Sequence, residues 1–140
     1  MDISKAVKSG YFQALSPEIG VNIYDAFAIP ENAEYPYVII SSVSVSEIPT
    51  TDLCKKFNVD VSLDIVTGFS SPTGMDAAFD IGEDIEDIVN PNSGVDLDIS
   101  AYGWRIGETR LTGTQPIQLR TDNFYIYRQV RTYSHIVIPV

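Results

Sequence analysis

"FNVDVSLDI", residues 57–65, decides how the rest of the chain is read. Phe57, Val59, Val61, Leu63 and Ile65 alternate with Asn58, Asp60, Ser62 and Asp64. Side chains on a strand point to opposite faces with a period of two, so this segment has one apolar and one polar face. Such a strand belongs to an antiparallel sheet that is packed on one side and wet on the other. Upstream, "YVIISSVSVSEI" (37–48) repeats the signal, with Val43 and Val45 set against Ser42, Ser44 and Ser46. The polar connector "PTTDLCKK" (49–56) leads from one strand to the other, which predicts an antiparallel pair. A much shorter loop would suffice for that turn. With its adjacent Lys55 and Lys56, the connector is therefore expected to touch a partner.

Two segments have helical spacing instead. In "ISKAVKSGYFQAL" (3–15), Ile3, Val7, Tyr11 and Leu15 stand four residues apart. Asp2 is placed to cap the helix, and "SPEIG" (16–20) ends it. In "SSPTGMDAAFDIGEDIEDIVNP" (70–91), Met75, Ala78, Phe79, Gly82, Ile85 and Val89 form an apolar stripe, broadened by Ile81 and Ile88. Ser71 reads as the N-cap with Pro72 at the first helical position, and Asn90-Pro91 as the stop. Asp76, Asp80, Glu83, Asp84 and Asp87 make the opposite face. Acidic residues in the last turns oppose the helix dipole, so that face is either kept for a partner or tolerated in solvent.

"VNIYDAF" (21–27) is a short extended segment, and "IPENAEYP" (29–36) a turn-rich loop. "WRIGETRLTGTQPIQL" (104–119) is a strand interrupted by Gly107, Gly113 and Pro116, which places it at a sheet edge or gives it bulges. The element order predicts one α+β domain over residues 1–140. Its architecture is an antiparallel-rich β-sheet with two amphipathic helices packed on one face and a long C-terminal strand.

That last strand, "NFYIYRQVRTYSHIVIP" (123–139), is longer than the usual five or six residues. Tyr125, Tyr127, Gln129, Arg131, Tyr133 and His135 share one face, and tyrosine and arginine are enriched in binding hot spots. The expectation is that Phe124 to Val130 pairs within the sheet and that the chain from Arg131 onward lies at a subunit boundary. There Tyr133 and His135 would supply contact area, and Arg128 or Arg131 would meet Asp80, Asp84 or Asp87 of a neighbour.

Composition narrows the function. The 140 residues carry 19 Asp plus Glu against nine Lys plus Arg, a formal net charge of −10. That balance argues against clinging to nucleic acid or to an anionic lipid surface. A single cysteine, Cys54, excludes an internal disulfide. No signal-like or membrane-length apolar run is present, so a soluble protein made in the cytoplasm, with no membrane partner, is expected.

Catalytic signatures are missing. His135, the single histidine, has no nucleophile or metal-binding residue at a recognisable spacing. The two lysines beside Cys54 can lower a thiol pKa, yet an exposed loop thiol is the plainer reading. Asp60 and Asp64 share a strand face, as do Asp96 and Asp98 if extended, but no calcium-loop pattern surrounds them. "GFSSPTG" (68–74) lacks the Lys-Ser/Thr of a phosphate loop. No catalytic, cofactor or metal residues are assigned.

The sequence of features resembles the tail terminator (tail completion) proteins of long-tailed bacteriophages. The matching pieces are Ile23-Tyr24-Asp25, Tyr35-Pro36-Tyr37-Val38, Val61-Ser62-Leu63-Asp64-Ile65 and Tyr127-Arg128, spread over nearly the whole chain. The resemblance implies a homo-oligomeric, hexameric ring that caps the head-proximal end of the tail tube and ends its polymerisation. It further implies partners in the tail tube protein and the head connector, a place at the tail–neck junction of the virion, and DNA passing through the bore without tight binding. A head-completion or minor tail protein of an adjacent layer is the neighbouring alternative. A small ligand-binding module or enzyme with an acidic pocket is the alternative from another class.

Overall fold

In a computed structural model, residues 1–50, 54–94 and 97–140 are described. The elements follow in the order α1 (Ile3–Leu15), β1 (Asn22–Asp25), β2 (Tyr37–Ile48), β3 (Lys56–Phe69), α2 (Asp76–Val89), β4 (Trp104–Arg120) and β5 (Tyr125–Pro139). A 3-10 turn at 100–102 precedes β4. The strands make one sheet in the order β1-β2-β3-β5-β4. All neighbours run antiparallel except the short β1, which lies parallel to Tyr37–Ile40 of β2. This is the expected α+β architecture.

The alternation read in 57–65 sets the layers. Val59, Val61, Leu63 and Ile65 are fully buried under Ile3, Val7, Tyr11 and Leu15 of α1 and Ala78, Ile85 and Val89 of α2. Val38 and Ile40 of β2 and Tyr133 and Val137 of β5 extend that layer sideways. Each such side chain contributes roughly 1.5–3 kcal/mol of burial. Among the described residues, the opposite face carries no helix. It is still not fully wet, since Asp64, Val66 and Ser134 there are buried.

α1 begins where expected, with the Lys5 backbone N–H donating to Asp2 Oδ1 at 3.2 Å. α2 does not. Its first helical residue is Asp76, after an N-cap at Met75 that lends no side-chain bond. Ser71 and Pro72 lie outside because Gly74 has φ +97°, a left-handed conformation that a right-handed helix cannot pass through. Phe79, expected in the buried stripe, is 44% exposed.

Gly82 earns its mid-helix position differently. A methyl group there would overlap Gln129 Oε1 and the Arg131 guanidinium, so its absence lets α2 lie directly on β5.

β5 corrects the expectation that only its first half pairs in the sheet. Its ladder with β3 runs from Tyr125 to Val137, and that with β4 from Tyr125 to Pro139. The whole strand pairs because its partners are as long as it is: β3 has 14 residues and β4 has 17. β4 does carry the foreseen irregularities, with register shifts between Ile106 and Glu108 and between Leu111 and Gly113. Pro116 sits in this edge strand, where no inward ladder need be broken by its missing N–H.

Candidate subunit interface

The structure separates the sequence-derived site residues into buried and surface groups. Tyr133 and His135 are 0% exposed and Tyr127 is 3% exposed within the single chain. They are core residues of this fold, because α1, α2 and both flanking strands enclose β5. Tyr11 Oη lies 2.5 Å from His135 Nε2, and Thr109 Oγ1 lies 2.9 Å from His135 Nδ1, so the imidazole joins α1 to β4. Burial, with Tyr133 and Glu86 adding to it, holds the Tyr11 phenol well above the usual tyrosine range.

Arg131 also turns inward. Its Nη1 donates to Glu86 Oε2 at 3.2 Å and to the Tyr133 hydroxyl at 2.9 Å, while its Nε donates to Gln129 Oε1 at 2.9 Å. The Tyr133 hydroxyl donates to the same Glu86 oxygen at 2.5 Å. Burial first, then this bond to Glu86, raises the Tyr133 pKa strongly. The expected partner for Arg131 was Asp80, Asp84 or Asp87 of a neighbour; the partner present is Glu86 of its own α2. Sequence reasoning passed over Glu86 among the acids. Its spacing was the available signal, since Gly82, Glu86 and Val89 share one helix face.

Arg128 lies on the helix-free face and forms an ion pair with Asp64, whose side chain is 6% exposed. Tyr35 stacks on Tyr37 at 5.6 Å between ring centroids and meets Phe124 at 6.0 Å, closing that end of the face.

The remaining candidates are on the surface. Asp80, Asp84 and Asp87 are exposed on α2, and Lys55 and Lys56 are exposed at the start of β3. Thr51, Asp52 and Leu53 of the connector and the Asp96 carboxylate lie outside the described residues. Cys54 is an exposed free thiol. Among the described residues, no group of three or more His, Cys, Asp or Glu is arranged to hold a metal ion. Among the described residues, no helix is long and apolar enough to cross a membrane.

Two sheet edges bear on assembly: that of β4, expected from its glycines and proline, and that of β2, which the sequence did not show. Beyond Ile40, where β1 stops, no strand among the described residues pairs with the outer edge of β2. β4 is the other edge, and of its 17 residues only Ile106 is buried. Unpaired N–H and C=O groups along such an edge are a template for another chain. A cleft of about 300 Å³ lined by Leu97, Asp98, Ile99, Ser100, Trp104, Arg105 and Ile106 opens at the start of β4. Another of about 150 Å³, lined by Lys8, Asp25, Phe27, Ile40 and Ser42 among others, opens where β1 leaves β2. Phe27 at its rim is 98% exposed.

No protein-family model and no curated protein matches the sequence. Among solved structures, the fold is similar to that of a chain in the virion of a native gene transfer agent particle, with a TM-score of 0.74. The likeness covers 97% of this chain and 97% of that chain at 15% sequence identity. At that identity, what the two chains share is the fold.

Proposed function

We propose that this protein is a structural component of a phage-like particle, a subunit of a ring that caps the head-proximal end of the tail tube. In that role it ends tube polymerisation and joins tail to head. The observation that carries the reading is the end-to-end fold likeness to a chain of a gene transfer agent virion. The open edges of β2 and β4 support it, because a subunit with complementary surfaces on opposite sides closes into a ring when the rotation permits. The acidic balance supports a bore through which DNA passes without being held. Lys55 and Lys56, with Asp80, Asp84 and Asp87, remain as surfaces for neighbouring subunits, the tube or the connector.

Negative-stain imaging of the purified protein, alone and bound to the tubes of its own particle, tests this. Closed rings with an axial hole are expected on one end of the tube. A single copy per tube, or none, would sink the proposal. Duplex DNA added to the protein at physiological salt should bind negligibly; a micromolar, salt-sensitive complex contradicts the non-adhesive bore.

A further inference from the structure

We infer that successive copies of this chain join edge to edge, with β4 of one copy adding antiparallel to the open half of β2, Ser42–Ile48, in the next. The inference rests on the ring reading and specifies how the ring closes. Strand direction is the first argument. β2, β3, β5 and β4 alternate in direction, so β2 and β4 run oppositely. Two copies set side by side with their helices on the same face therefore present antiparallel edges to each other.

Height is the second argument. Val43 pairs with Val61, Val61 with Tyr133, and Tyr133 with Leu111, so Val43 and Leu111 lie at one level on opposite edges. The part of β2 that β1 leaves open is thus level with the part of β4 nearest its start. Both residues lie on the helix-bearing face. Leu111 and the next β2 residue on that face, Val45, are each 38% exposed. Joining the edges covers both, and any register that keeps the faces together moves in steps of two residues.

Charge is the third. Along Ser42–Ile48 of β2 the charged residue is the exposed Glu47. Over the part of β4 level with it, β4 presents exposed Arg105 and Arg110 against one acid, Glu108. Opposite signs on the two edges favour head-to-tail joining and disfavour pairing of like edges.

The test is cysteine cross-linking of the full chain in a Cys54→Ser background, alone and with tubes of its own particle. The double variant Val45→Cys/Leu111→Cys pairs the same face and should give a covalent ladder on oxidation. Ser44→Cys/Leu111→Cys pairs opposite faces and should give none. Asp84→Cys/Lys55→Cys reports an alternative contact. Light scattering runs in parallel, and circular dichroism establishes that each variant is folded. Arg105→Glu/Arg110→Glu, which leaves the core untouched, should weaken assembly by about tenfold or more. Assembly that persists with no ladder from the same-face pair overturns edge joining and leaves the ring standing. Absence of assembly in both conditions overturns the ring and edge joining together.

Discussion

β4 and β5 are the two arms of one hairpin, 17 and 15 residues long, and they have opposite fates. β5 is flanked on both sides and roofed by α2; it places Tyr127, Gln129, Tyr133, His135 and Val137 in the interior. Among the described residues β4 has a neighbour on one side only, and Leu111 and Leu119 stand 38% and 45% exposed on it. The difference shows that a long aromatic strand does not mark a contact surface by length alone. Tyrosine and arginine serve equally well inside, provided that every polar tip is met. Here Glu86 and Gln129 meet Arg131 and Tyr133, and Thr109 meets His135 beside them. The strand at the edge is the one interrupted by glycine and proline.

The largest effect should come from removing the end of β5. Deleting residues 134–140 takes away the fully buried His135 and Val137 and the last rungs of both ladders. The truncated chain should lose its cooperative thermal transition by circular dichroism. A folded, monomeric truncation product would return this segment to the surface and erase the contrast with β4.

Next is the polar cluster over which α2 lies. Glu86→Ala leaves the Arg131 guanidinium, on a side chain only 12% exposed, without its carboxylate. A loss of about 3 kcal/mol in urea unfolding is expected. Glu86→Ala/Arg131→Met should recover part of it, since the stranded charge is then gone. If the double variant is no better than the single, Glu86 acts through packing alone.

Alkaline pH should erode stability through the same strand. Tyr11 and Tyr133 have raised pKa values in the fold, while unfolded tyrosines ionise near pH 10. Above about pH 10 the unfolded state therefore binds fewer protons than the native one, and stability falls as pH rises. Urea midpoints should be flat in this respect up to about pH 9 and drop beyond pH 10. Tyr133→Phe should shrink the drop. An equal drop in that variant would assign it to other groups.

The smallest effect on folding belongs to β4. Leu111→Thr should change monomer stability by about 0.5 kcal/mol or less, the range of ordinary surface substitutions. Its assembly, read by light scattering, should nonetheless weaken. A large stability loss would place Leu111 in the core and remove β4 as a contrast.

The fold was legible because its signals are local. The alternation over 57–65, the four-residue steps of α1 and the turn residues around β2 each reflect one element's own geometry. The start of α2 was misread because Ser71-Pro72 has the chemistry of a helix start, and only the left-handed Gly74 shows that the chain turns once more. The fates of Arg131, Tyr133 and His135 were not legible. They depend on Glu86, Tyr11 and Thr109, which lie 45, 124 and 26 residues away in sequence. The edge position of β4 could be read from Gly107, Gly113 and Pro116. What could not be read is that β1 ends early and leaves half of β2 open at the same height.

The central claim is that copies of this chain meet along β4 and β2 while β5 stays interior throughout. Peptide-resolved amide hydrogen exchange, on dilute protein and on protein assembled on tubes, tests it most directly. The account predicts that residues 105–113 and 42–48 gain protection together on assembly, while 125–137 are protected equally in both states. Protection gained on α2 or at Lys55–Lys56, with β4 and β2 exchanging as fast as in the dilute protein, would contradict it.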